Sequence, residues 1–373
     1  MPVVPNTYEE SRQRFRDNLA VIRRSWPSAR RDHHALDGME DLTIDWIMAD
    51  ARKRKEKLLV ISTGLHGIEG FIGSAVLQLF LDEFLHRLDP DTTGILFLHS
   101  LNPWGMKHWK RINPNNVDLN RNFVTDSFQA LSNENPDYPD LLSFLSPGKP
   151  LGNLLVEKTA FIYRLLRAAL RLGIRRVREA ALMGQYFYPL GIYFGGQALQ
   201  EETRRVMDLY RDAFQGYSRI IHLDLHSGYG PRYQMTVVTS PRDALSAAEL
   251  QHIYQLDRVA GANPDEFYSM HGDMNDWEYE LVKNEYPKAS IFAANFEFGT
   301  YGSSILAGAR SLRITILKNQ KDQFGASKTT GEWIDGEYRE LYLPQEPGWY
   351  DKAWQDARRA FRGILTAEEV IKE

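Results

Sequence analysis

The chain has 373 residues, and its 45 lysines and arginines against 49 aspartates and glutamates leave a net charge of −4, which argues against a surface built to coat nucleic acid. Cysteine is absent, so thiol nucleophiles, cysteine-ligated zinc and iron–sulfur clusters are excluded, and His, Asp and Glu remain as the strong metal ligands. A chain this long buries a core without staples. It shows no signal-like leader and no run of about 18 apolar residues, so the expectation is a soluble, cytoplasmic protein with neither membrane nor nucleic acid as partner.

Tyr8, Phe15, Leu19 and Ile22 share one face of a helix running to Trp26, and after a polar stretch Leu42 to Met48 reads as the first strand. Lys57 to Thr63 is an apolar run too short for a helix. It ends in Gly64-Leu-His-Gly-Ile-Glu-Gly70, before helical periodicity from Phe71 to His86. Gly94 to Ser100 is a further strand, stopped by Pro103. Residues 126–195 change character. The loop-like stretch 132–140 leads to a long helix, Leu154 to Met183, with an apolar face of Phe161, Leu165, Ala168, Ala169 and Leu172. Its arginines at 164, 167, 171, 175, 176 and 178 read as a solvated basic face. This stretch is expected to be a helical insertion within one α/β domain spanning 1–373. A helix over Gln200 to Phe214, strands at Ser218 to Leu225, Gln234 to Thr239 and Ala289 to Phe298, and a helix over Trp349 to Leu365 follow. Strands interleaved with helices predict a central mixed, mostly parallel twisted sheet flanked by helices.

His66 and Glu69 lie three apart in a glycine-flanked loop at the carboxyl end of a buried strand, where open α/β sheets bind their ligands. His226 ends another strand, and two imidazoles with one carboxylate make a catalytic zinc set that leaves one position open. His222 shares the strand face of His226 but sits four residues deeper, which suits a hydrogen-bonded core or subunit-facing histidine better than a ligand. Asp224, between them, reads equally as support for a ligand or as part of a buried network. The polar cluster Lys110 to Phe123 combines an arginine fork, orienting amides and an aspartate able to fix a histidine tautomer. Serine-hydrolase chemistry is disfavoured because Ser74 lacks the nucleophile elbow and falls in a helical pattern. Neither a phosphate loop nor a dinucleotide fingerprint occurs.

His66-Gly-Ile-Glu69, Arg111, Val117-Asp-Leu-Asn-Arg-Asn-Phe123, His226-Ser227 and Glu297, in this order, resemble the zinc metallocarboxypeptidase superfamily, which includes the aspartoacylase and succinylglutamate desuccinylase group. The likeness is nearest to a bacterial carboxypeptidase-like branch and runs from the N-terminal helix to Gly299. It implies one Zn2+ per chain held by His66, Glu69 and His226, with Asp118 orienting a ligand histidine. Asn120 and Arg121 would grip the substrate's carboxylate, Arg111 would polarise the scissile carbonyl, with Lys110 adjacent, and Glu297 would be the general base. The implied reaction is hydrolysis of an amide bond beside a free carboxylate, on a peptide C-terminus or an N-acyl amino acid. A catalytically inactive zinc-bearing scaffold that binds peptide ends is the non-enzymatic alternative. No segment clearly matches the mobile tyrosine of digestive carboxypeptidases; Tyr229, Tyr233 and Tyr301 lie near site segments. Tyr193-Phe-Gly-Gly-Gln197 reads either as a cleft-lining loop or as an ordinary turn.

Overall fold

The computed structural model describes residues 3–125, 127–261 and 270–371; position 126, where the insertion was expected to begin, lies outside them. The strands are β1 (Arg30–Leu36), β2 (Met39–Ala49), β3 (Lys57–Thr63), β4 (Thr93–His99), β5 (Arg219–Ser227), β6 (Met235–Thr239), β7 (Val259–Gly261) and β8 (Ser290–Phe298). They form one sheet in the order β1-β2-β4-β3-β5-β8-β6-β7. Its centre, β4-β3-β5-β8, is parallel throughout, and antiparallel pairings occur at β1·β2, β2·β4 and β8·β6. The fold is thus the expected mixed α/β sheet.

The helices are α1 (Tyr8–Ile22), α2 (Gly70–Glu83), α3 (Pro103–Lys107), α4 (Phe128–Leu131), α5 (Tyr138–Leu145), α6 (Leu154–Leu172) and α7 (Ile174–Met183). They continue as α8 (Glu201–Phe214), α9 (Ala247–Ile253), α10 (Met274–Glu285), α11 (Ile305–Phe324), α12 (Lys328–Tyr342) and α13 (Pro347–Ala367). Side chains of a strand alternate between faces, so the central strands serve two cores. Leu59, Ile61, Ile221, Leu223 and Phe292 pack under α1, α2 and α13. Leu58, Val60, Ile220 and Ala293 pack under α8 and α10. His222, Asp224 and His226 belong by parity to the second face, and the register sets Ser62 beside Asp224 and His226 beside Glu297.

Three features depart from expectation. The first strand is β1, drawn from the polar stretch after α1; it lies on the sheet edge with its first four residues exposed, so no apolar alternation marks it. The long helix is two, broken at Gly173, whose φ of +83° is left-handed backbone that a glycine adopts at little cost. On α6 the arginines Arg167 and Arg171 are exposed as expected, but Leu155, Ile162, Leu166 and Leu170 are exposed as well, while Phe161 and Ala168 are buried beneath them.

Candidate metal centre

The first donor segment is fixed by backbone contacts that only glycine allows. A Cβ on Gly67 would lie 2.2 Å from the carbonyl carbon of Gly105 at α3. That close approach lets the amides of Gly67 and Ile68 donate to the carbonyls of Arg111 and Lys110, at 3.2 and 2.9 Å, so the ligand loop and the arginine segment are tied together. His66 and Glu69 are 3% and 1% exposed, and His226, from the end of β5, is 2% exposed.

The donors converge. His66 Nδ1 lies 3.1 Å from Glu69 Oε1, and His226 Nδ1 lies 3.0 Å from Glu69 Oε2 and 3.2 Å from His66 Nδ1. A tetrahedral shell at about 2.0–2.1 Å spaces its donors by roughly 3.3 Å, so these atoms fit around one small cation. Each imidazole is engaged from behind by a carboxylate: His66 Nε2 by Asp118 Oδ1 at 3.0 Å, and His226 Nε2 by Asp224 Oδ2 at 2.5 Å. With Nε2 so occupied, both Nδ1 lone pairs are free to point at a shared centre. Burial works against ionisation of Glu69, but the two imidazoles outweigh it and hold its carboxyl well below the usual range. His222 is elsewhere employed, between Glu278 at 2.8 Å and Ser62 at 2.7 Å.

Asp118 is the hub behind the ligands. Arg111 Nε donates to its Oδ2 at 3.1 Å, and Arg121 Nη1 donates to the same oxygen at 2.5 Å. Burial raises this carboxyl, yet Arg111, Arg121 and His66 together hold it well below the ordinary aspartate value. Arg111 also donates to Glu69 Oε1 at 3.2 Å. Arg121, expected to grip a substrate, is fully enclosed. Its remaining donors meet the carbonyls of Leu182 and Met183 at the C-terminal end of α7, where a cation complements the helix dipole. The Tyr193 ring lies 5.6 Å from the Arg111 guanidinium and 4.8 Å from that of Arg121, which brings the 193–197 loop against the site. Asn120 donates to Asp273 Oδ2 at 3.0 Å and accepts from the Met274 amide at 3.0 Å.

The family signature matches residues 5–356. The chain belongs to the family described as protein of unknown function (DUF2817). No curated protein matches this DUF2817 chain. Among solved structures it is similar to bovine thrombin-activatable fibrinolysis inhibitor in complex with tick carboxypeptidase inhibitor. There the identity is 14%, 90% of this chain and 96% of that chain are covered, and the TM-score is 0.47. Carboxypeptidase A from Helicoverpa armigera matches at 14% identity, over 91% of this chain and 75% of that one, with a TM-score of 0.43. Succinylglutamate desuccinylase from Chromobacterium violaceum matches at 15% identity, over 87% and 74%, with a TM-score of 0.34. None of the three TM-scores reaches 0.5, so the chemistry of the DUF2817 chain is read from its own side chains.

Glu297, next to last in β8, lies directly beside His226, is 7% exposed, and its Oε2 has no hydrogen-bond partner. Burial pushes its carboxyl up to about 7; the nearby Glu69 charge adds to the rise, and His226, His66 and Arg111 oppose it. Of the three tyrosines flanking site segments, Tyr229 is raised by burial first and by the Glu297 charge in part, and Arg178 of α7 donates to its hydroxyl. Tyr301 donates to the Glu337 carbonyl at 2.8 Å, and Tyr233 neighbours Arg232 and Glu346 at the surface. Two groups escaped the sequence reading. Tyr342, buried at the end of α12, is close enough to feel Arg111 and Glu69, and its carbonyl accepts from Ser227 Oγ at 3.0 Å. Asp273 caps α10 while holding Asn120. Its N-cap position before Asp276 was the available signal.

Proposed function

We propose that this protein is a zinc-dependent hydrolase of the carboxypeptidase type, cleaving an amide bond next to a free carboxylate. The observation that carries the reading is the convergence of two Nδ1 atoms and one carboxylate on a single point, with the unpartnered Glu297 carboxylate on the adjoining strand. His66, Glu69 and His226 would hold the cation and leave one position open. Bound there, zinc supplies a Lewis acid beside the bond to be broken.

The chain's own groups account for the remaining work. Glu297, a base whose affinity for a proton is raised by burial, takes a proton from the attacking water and returns it to the leaving nitrogen. Arg111, 13% exposed and anchored by Asp118, directs positive charge at the carbonyl oxygen as it becomes anionic. Asn120 and Arg121 are assigned to the substrate's carboxylate by resemblance. Arg121 serves in that role only if its contacts with Asp118 and the α7 carbonyls loosen. The near-complete burial of the three donors supports a second reading, deacylation of small N-acyl amino acids, because a short substrate enters such a site more readily than a peptide.

The test is metal content of the purified protein, run with a screen of C-terminal peptides and N-acyl amino acids. Close to one zinc per chain and turnover that disappears in Glu297→Gln support the hydrolase. The preferred substrate then separates peptidase from deacylase. Failure to retain zinc after reconstitution overturns the centre, and zinc without turnover on either class favours a binding scaffold.

A further inference from the structure

Behind His226 the sheet carries a chain of enclosed polar groups. Asp224 Oδ1 accepts from Ser62 Oγ at 2.6 Å, Ser62 Oγ lies 2.7 Å from His222 Nε2, and His222 Nδ1 lies 2.8 Å from Glu278 Oε2. All four side chains are fully buried. Register and parity place them. Ser62 pairs with Asp224 across β3 and β5, His222 shares the strand face of Asp224 and His226, and Glu278 reaches that face from the second turn of α10.

The hydrogens available fix the direction of each bond. A carboxylate oxygen only accepts and a serine hydroxyl has one hydrogen, so the hydrogen of Ser62 goes to Asp224 and its oxygen must receive one from His222 Nε2. The Tyr210 hydroxyl, 3.3 Å from the same nitrogen, is a second acceptor for that hydrogen. On the far side of the ring a single proton lies between Nδ1 and Glu278 Oε2. Glu278 Oε1, also buried, has no partner. A bare oxygen costs less on a neutral acid than on an anion, and burial pushes the Glu278 carboxyl up. The proton therefore rests on Glu278, and His222 is a neutral imidazole with its hydrogen on Nε2.

We propose that, on the ligand set proposed above, Glu278 and His222 are positioning residues for the metal centre: Glu278 fixes the tautomer of His222, which leaves the hydroxyl hydrogen of Ser62 to Asp224 and so keeps Asp224 aligned behind His226. In the other tautomer the Nε2 lone pair competes with Asp224 for the only hydrogen of Ser62. Asp224 then loses one of the two bonds that hold it, and the His226 ring loses its fixed support.

The test compares zinc affinity, by chelator competition, in the full-length chain. Ser62→Ala is expected to weaken zinc binding about tenfold, the low end of what loss of an outer partner does, and Glu278→Leu, which frees the ring to change tautomer, about as much. Glu278→Gln, whose amide donates to Nδ1 as the acid does, should restore most of the affinity, and Glu278→Leu should add no further loss once Ser62 is replaced by alanine. A role confined to packing lowers stability without this pattern. In the metal-free chain, nitrogen NMR of isotope-labelled histidine, with His222 identified by comparison with His222→Gln, should show hydrogen on Nε2. If Glu278→Leu does not fold, Ser62→Ala and the ring spectrum decide. Equal zinc affinity in wild type and Ser62→Ala, equal losses in Glu278→Gln and Glu278→Leu, or a His222 ring without hydrogen on Nε2 overturns this role alone. A wild-type chain that takes no zinc overturns the centre, and the role with it.

Discussion

Each imidazole of the candidate donor set, His66 and His226, is backed by a carboxylate outside that set, and the two supports differ in what else they hold. Asp224 receives His226 and Ser62, whereas Asp118 receives His66 and two guanidinium groups. Asp118→Ala is therefore expected to weaken zinc binding about 10- to 100-fold. It should also destabilise the fold by about 3–5 kcal/mol, because Arg111 and Arg121 lose their buried counter-ion. A competitive chelator titration and urea unfolding read the two effects separately. Glu297→Gln has the opposite profile, with zinc retained and kcat lowered about 10²- to 10⁴-fold. Asp273 gives the stability a pH dependence. Burial first, and Asp276 second, push its carboxyl up to about 7. Between about pH 4, where an unfolded aspartate ionises, and about 7, the native state keeps a proton that the unfolded chain releases, so this contribution to stability declines as pH rises. Denaturant unfolding at several pH values should show that slope, and Asp273→Asn should flatten it.

At the scale of elements, the site depends on loops that enter and leave a rigid sheet. Gly67→Ala drives a methyl group into the backbone of α3 and is expected to cost at least 1–3 kcal/mol, with reduced zinc content, measured by unfolding and metal analysis. The strands β3, β4, β5 and β8 were legible in the sequence because buried parallel strands are short continuous apolar runs. β1 was not, because an exposed edge strand owes its form to pairing with β2 rather than to its own pattern. The sequence reading assigned no element to α10, α11 or α12. Within the site, His66, Glu69 and His226 stood out by their place after strands. The enclosure of Arg121 did not, since it depends on carbonyls at 182 and 183 that lie some sixty positions along the chain.

For the whole molecule, a cation that binds only the folded chain must stabilise it: zinc at about 100 times its Kd contributes about 2.7 kcal/mol. Stripping the protein with a chelator should lower Tm, and zinc should restore it, while the His66→Ala chain should respond to neither. The order of the donors along the chain has a temporal meaning. The first two are present once residue 69 has been made, the third waits for residue 226, and the strand that brings Glu297 beside it closes the sheet centre last. On the proposed ligand set, a chain still emerging from the ribosome owns two of the three donors until residue 226 is made, and over that interval it can let a metal go as easily as it takes one. On the same proposed set, tight capture of zinc becomes a report that β3 and β5 have found one another, and loading rate measures that step in the assembly of the sheet.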